Sequence, residues 1–107
     1  MPKYLVSASY TSEGLKGLLK EGGTKRKTAV EALAKSVGAR LESLYFAFGE
    51  TDVFVVLDAP DNASAAAASL VAGAAGGATT RVTVLLTPEE VDEAAKKPVT
   101  YSPPGRS

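Results

Sequence analysis

Tyr10, Lys16, Arg26 and Asp52 are the side chains of this 107-residue sequence that stand out as candidates for chemistry. The hydroxyls of Thr11 and Ser12 follow the first of them directly. A tyrosine with cationic neighbours can hold a carboxylate or phosphate, or polarise an enol oxygen. Asp52 can serve as a general base where burial raises its pKa, and Tyr10 with Asp52 is the candidate acid–base pair. The plainer role for an Asp beside a turn is to cap it. Gly22-Gly23 lies between Lys16 and Arg26. Such a pair lets backbone N–H groups approach an anion, or simply breaks a helix. It is not a P-loop, because Gly22-Gly-Thr-Lys25 lacks the spacing and the Lys-Ser/Thr ending.

Asp52 and Asp58 bracket a hydrophobic run and, being an even number of residues apart, are expected on one face of a strand. Glu42 is expected to be solvated or paired with Arg40 or Arg81. Tyr45, Phe46, Phe48 and Phe54 can stack on a planar ligand, but packing in a core or interface is the ordinary use of aromatics in a sheet. An RNA-binding sheet also uses aromatics, yet no Lys/Arg-Gly-Phe block occurs here and no basic residues flank them. The candidate ligand-binding set is therefore Tyr10, Thr11, Lys16, Arg26, Tyr45 and Phe46.

Composition removes whole classes of chemistry. The chain has no Cys, no His and no Trp. Disulfides, thiol nucleophiles, zinc thiolates, His-based triads and imidazole-ligated metals are all excluded. Only carboxylates remain to hold a metal, and no metal or cofactor is expected. Net charge is zero, but residues 1–40 carry eight Lys/Arg against three Asp/Glu, while residues 41–107 carry four against nine. The two halves are expected to meet and neutralise each other rather than to present a nucleic-acid surface. The start of the chain, Met1-Pro-Lys-Tyr-Leu-Val-Ser, lacks the apolar core of a secretory leader. No apolar run reaches the roughly 18 residues that a membrane span needs. A cytoplasmic protein without membrane or nucleic-acid partners is expected, and the missing cysteines agree with that.

These residues need elements to position them. Lys3 to Tyr10 reads as a strand, and Thr11 opens a helix carrying Leu15, Leu18 and Leu19 at helical spacing. Gly22-Gly23 interrupts it. A second helix runs from about Thr24 to Val37, its apolar face being Ala29, Val30, Leu33, Ala34 and Val37, and Gly38 ends it. Arg40 to Phe48 reads as a strand with Glu42, Leu44, Phe46 and Phe48 on one face and Leu41, Ser43, Tyr45 and Ala47 on the other. Gly49 to Asp52 turns the chain into a strand over Val53 to Ala59, nearly all hydrophobic. Asn62 to Ala75 is an alanine-rich helix with Leu70 and Val71 as its only large hydrophobes, and Thr79 to Leu86 a strand. Thr87-Pro88-Glu89-Glu90 is a strong start for a short helix to Lys97.

The order is βαββαβ with a broken first helix, the ferredoxin-like α+β plan. Both helical layers cover one sheet face. The other is expected to be mostly apolar, carrying Tyr4 or Leu5, Tyr45 or Phe46, Phe54 or Val53, and Leu85. An uncovered apolar face of this kind implies self-association into a dimer or higher homo-oligomer. Residues 1–97 form the expected domain and 98–107 a Pro/Ser-rich tail, loose or draped on a partner subunit.

Pro2 to Leu18, Gly22-Gly23, Phe46-Ala-Phe-Gly-Glu-Thr-Asp-Val53 and Leu85-Leu-Thr-Pro-Glu89 together resemble the GYD-domain family of small bacterial proteins. The resemblance covers roughly residues 2–97. It implies a ferredoxin-like, dimeric α/β-barrel fold and brings no established reaction. Gly49 and Asp52 match the signature that gives the family its name, but Thr51 stands where its tyrosine is expected, which removes a phenol from the hairpin. Three functions remain open: a small-molecule-binding or sensing module, a cofactor-independent isomerase or oxygenase acting on an aromatic or enolisable compound, and a structural or partner-binding oligomer.

Overall fold

A computed structural model describes residues 1–105; Arg106 and Ser107, the end of the expected tail, lie outside the described residues. The elements are β1 (Lys3–Tyr10), α1 (Ser12–Glu21), α2 (Gly23–Ser36), β2 (Arg40–Phe46), β3 (Val53–Asp58), α3 (Asn62–Ala74), β4 (Ala78–Leu85) and α4 (Pro88–Ala95). The four strands form one sheet in the order β2-β3-β1-β4, every neighbouring pair antiparallel. This is the ferredoxin-like plan expected from the order of elements.

Local chemistry sets the boundaries. Thr11 caps α1, its hydroxyl accepting from the Gly14 amide, and Asp61 caps α3 through the Ser64 amide. Thr87 and Glu90 form a reciprocal capping box at α4, with Pro88 at the first helical position. Gly22, at φ 85°, closes α1 and opens α2 in one residue, a backbone conformation that side chains with a Cβ resist.

The pleat decides which residues meet the helices. Tyr4, Val6 and Ala8 on β1 lie opposite Leu57, Val55 and Val53 on β3, and all six point to the helical layer. Ala34 of α2 and Ala65 of α3 close over them. The α3 layer is held by small residues: Ala65 and Ala68 are buried, whereas Leu70 and Val71, the only large hydrophobes of that helix, are exposed. Ala65, Ala68 and Ala72 recur at i, i+3 and i+7 on the sheet side, and that phase turns the bulkier pair outward.

Two expectations about the sheet are corrected. Strict alternation along β2 fails, because the register slips between Leu41 and Ser43. Glu42 is the extra residue of a β-bulge, so Leu41, Leu44 and Phe46 share the helical side while Ser43 and Tyr45 face away. The strand also stops at Phe46, leaving Phe48 in the connection and fully exposed. Second, the open sheet face is mixed rather than mostly apolar. Leu5, Tyr45, Phe54, Val56 and Leu85 make an apolar band across it. Ser7, Ser9, Thr79, Arg81 and Thr83 occupy the rest, because the same parity that buries Tyr4 and Ala8 turns the hydroxyls out.

At one end of that face sits a compact charge cluster. Asp58, only 4% exposed, accepts from Lys3 Nζ at 2.8 Å and from Arg40 at 2.6 Å, and Lys3 also reaches Glu42 at 3.0 Å. Glu42 is thus paired with Lys3 rather than with Arg40 or Arg81. The bridges of this cluster join the basic first part of the chain to the acidic second part, as the charge distribution suggests.

Candidate functional site

The helical side of the sheet is not packed solid. Between β1, β3 and β4 below and α2 and α3 above lies a cavity of about 70 Å³. Its floor is Val6, Ala8, Val53, Val55 and Leu57; its far wall is Ala68, Ser69 and Ala72 of α3. Arg26, Val30, Leu33 and Ala34 line it from α2, at the i, i+4, i+7 and i+8 positions that make one helical face. Tyr10 stands at the end of β1 beside Arg26. The cavity is apolar everywhere else, apart from Ser69 and Thr80, whose hydroxyls lie 2.6 Å apart and satisfy each other.

Arg26 and Tyr10 are the polar end of this space. Among the described residues Arg26 Nε is the buried side-chain polar atom that lacks a hydrogen-bond partner. A buried donor left unpaired is costly, on the order of 1–3 kcal/mol, so a bound acceptor there recovers that cost. The Tyr10 phenol is pushed above its ordinary pKa, chiefly by burial; Arg26 pulls the other way, and Asp52 adds to the rise. At neutral pH the phenol is therefore a neutral donor beside a fixed positive charge. That pair can grip an oxyanion or a carbonyl oxygen at the edge of an apolar pocket.

The remaining candidates lie elsewhere. Asp52 accepts from the Tyr10 amide at 2.8 Å, while its own backbone bonds to Ala8 and Ala47 on either side. It ties the end of β1 to the β2–β3 connection. It also precedes β3, and it borders a groove on the helical side, so it does not share a face with Asp58, which lies on the open side. The Thr11 hydroxyl is taken up in capping α1 and in donating to the Gly76 carbonyl at 3.0 Å. Lys16 is exposed and lies 3.9 Å from Glu13 on its own helix. Tyr45 stands on the open face, across the strands from Phe54 and 72% exposed. Phe46 is on the helical side, but in a neighbouring groove with Leu15, Leu18 and Phe48. A Cβ on Gly23 would lie 3.0 Å from the Phe46 ring, so the second glycine of the helix break makes room for an aromatic. The structure thus brings together Tyr10 and Arg26, keeps Asp52 within electrostatic reach of the phenol, and leaves Thr11, Lys16, Tyr45 and Phe46 outside the cavity.

Ser69, Ala72 and Thr80 complete the cavity and carry no signal in the sequence that marks them as lining residues. Their place follows from tertiary register alone. Arg26 is different: within the run Lys25-Arg26-Lys27 it alone is in phase with Val30, Leu33 and Ala34. Among the described residues no group of three or more His, Cys, Asp or Glu is placed to hold a metal ion. No helix among them is long and apolar enough to cross a membrane.

With the fold and cavity in place, comparison with known proteins gives one result. The model of the GYD domain matches residues 4–95, and the chain belongs to that family. Neither a curated protein nor a solved structure matches it.

Proposed function

We propose that this member of the GYD domain family is an oligomeric small-molecule-binding or sensing module, taking a small, mainly apolar ligand with one acceptor oxygen into the cavity under α2 and α3. The observation that carries the reading is the buried, unpartnered Arg26 Nε opening on an otherwise apolar space. With a volume of about 70 Å³ the cavity takes a short ligand, or the alanine-lined α3 shifts to admit a longer one. A short-chain monocarboxylate matches both ends: a carboxylate for Arg26 and the Tyr10 hydroxyl, an alkyl chain for Val30, Val55 and Leu57.

The same reading includes self-association. The apolar band of Leu5, Phe54, Val56 and Leu85, with Tyr45 beside it, has no covering layer among the described residues, and a second sheet packed on it buries it.

The test is thermal melting in propionate, butyrate and hexanoate, with the matching primary amides as controls for charge. A binder of the native state raises the melting temperature with concentration, by an amount corresponding to about 2.7 kcal/mol at a hundred times Kd. The expected result is a shift for at least one acid that Arg26→Met abolishes. No shift at millimolar acid, or an equal shift in the Arg26→Met protein, overturns the reading.

A further inference from the structure

The cavity under α2 and α3 is not closed at the Arg26 end. Arg26, Leu33, Ala72 and Ala78 line it, and the same four line a second hollow of about 240 Å³ on the outer side. Val71, Ala75 and Gly77 belong to the outer hollow alone. That hollow lies in the cleft between α2 and α3, with the turn into β4 at its end. The cleft exists because α2 packs on α1 and β2 while α3 packs on β4, and neither helix packs closely on the other. Ala72 and Ala75 have side chains too short to bridge it.

Val71 gains a use from this arrangement. It is 62% exposed, yet together with Leu33 it makes the outer hollow apolar. Both chambers are thus mainly apolar, and Arg26 is the charged side chain that borders both. Among the described residues Arg26 has no ion pair, and its buried Nε has no acceptor. An unpaired guanidinium favours an anion over a neutral acceptor, because a hydrogen bond between charged groups is roughly twice as strong as one between neutral groups.

A straight-chain acid with its carboxylate on Arg26 has one chain and fills one chamber. An acid with two arms on its α-carbon fills both. We infer that the site takes α-branched monocarboxylates, with the carboxylate on Arg26 at the threshold. One arm points inward among Val30, Val55 and Leu57, and the other outward against Leu33 and Val71. This ligand class rests on the binding reading above; to it are added a shape and a way in, through the α2–α3 cleft with the shorter arm leading. The inner chamber, about 70 Å³, holds one arm to a short alkyl group, while the larger outer hollow admits a longer one.

Isomeric acids separate shape from hydrophobicity. Thermal melting of the full-length protein is followed with 2-ethylbutanoate against hexanoate, and with 2-propylpentanoate against octanoate. The members of each pair have the same charge and the same number of carbons. Apparent Kd follows from the rise in melting temperature with concentration. The branched isomer of each pair is expected to bind about tenfold tighter, the worth of two further buried carbons. Val71→Gln alters only the outer hollow, from an exposed position, with a neutral side chain that does not compete for Arg26. It is expected to bring the branched isomer level with the straight one and to leave the shift in butyrate unchanged. A straight isomer that binds as tightly as its branched partner overturns the branched-acid assignment and leaves the cavity reading standing. So does a preference that survives Val71→Gln. Silence from every acid, straight and branched, brings down both.

Discussion

Gly14 and Gly77 approach so closely that a Cβ on Gly14 would lie 2.0 Å from the Gly77 carbonyl oxygen. That contact seats the first turn of α1 on the turn between α3 and β4, beside the 3.0 Å bond from the Thr11 amide to the same carbonyl. Backbone on both sides leaves no flexible side chain to give way. Gly14→Ala is therefore expected to destabilise the fold by about 1–3 kcal/mol, despite the better helix propensity of alanine. Gly17, on the same helix with open space around its Cα, is the control: Gly17→Ala is expected to stabilise by up to about 1 kcal/mol. Urea unfolding of the two variants separates the outcomes, and equal behaviour would show that the α1 seat carries no weight.

Tyr10 ionises above the ordinary tyrosine value, with burial the leading cause. Arg26 opposes that rise and Asp52 reinforces it, so removing each moves the phenol in opposite directions. Arg26→Met is expected to raise the Tyr10 pKa further, and Asp52→Asn to lower it. Alkaline difference spectra against Tyr10→Phe isolate this phenol from the other three tyrosines. Shifts of the same sign in both variants would contradict the placement of Arg26 and Asp52 around it.

Asp58 is held below the usual carboxylate range, first by its bond to Lys3 and then by its bond to Arg40. A depressed folded-state pKa contributes stability that is present above the unfolded value of about 3.9 and is lost as pH falls through the folded value. Urea midpoints measured from neutral pH downward are expected to fall through that acid range in the native protein. Asp58→Asn is expected to be less stable near neutrality and to lose less on acidification. An Asp58→Asn protein with the native acid profile would mean that the cluster is not the source.

The Tyr4 hydroxyl donates to Asn62 Oδ1 at 2.6 Å, linking the start of β1 to the first turn of α3. Tyr4 is 1% exposed, whereas Asn62 reaches solvent. Tyr4→Phe leaves the buried ring in place and frees an acceptor that water can reach. Its expected cost is about 1 kcal/mol, read as a lower urea midpoint at unchanged slope. A loss several times larger would mean that the bond fixes the position of α3 rather than merely adding to it.

How much of this was legible in the sequence varies with the signal. The caps Thr11 and Thr87, the Gly22-Gly23 break and the apolar run of β3 all act through local chemistry, and each stands where its residues predict. The bulge at Glu42 could not be read, because Glu-Ser-Leu alternates as well as any unbroken strand and only the partner register shows the extra residue. The face of α3 was hidden for a related reason. Alanine occupies seven of its thirteen positions, so the helix has no apolar stripe of large residues to read, and the outward turn of Leu70 and Val71 shows only once the buried face of Ala65 and Ala68 is known. In the cavity, Tyr10 and Arg26 could be singled out by type and phase, while Ser69, Ala72 and Thr80 became neighbours only through folding.

The alanines of α3 carry one more consequence. On the proposed reading the polar grip lies at Tyr10 and Arg26, while α3 lines the apolar space with Ala68. Anchoring and size selection therefore sit on different elements, joined by no shared side chain. Each added methylene at Ala68 reduces the space from α3, and glycine enlarges it. On the proposed reading, a lineage carrying this fold changes the length of molecule it accepts by single substitutions on one helix, while the group that meets the acceptor oxygen stays as it is.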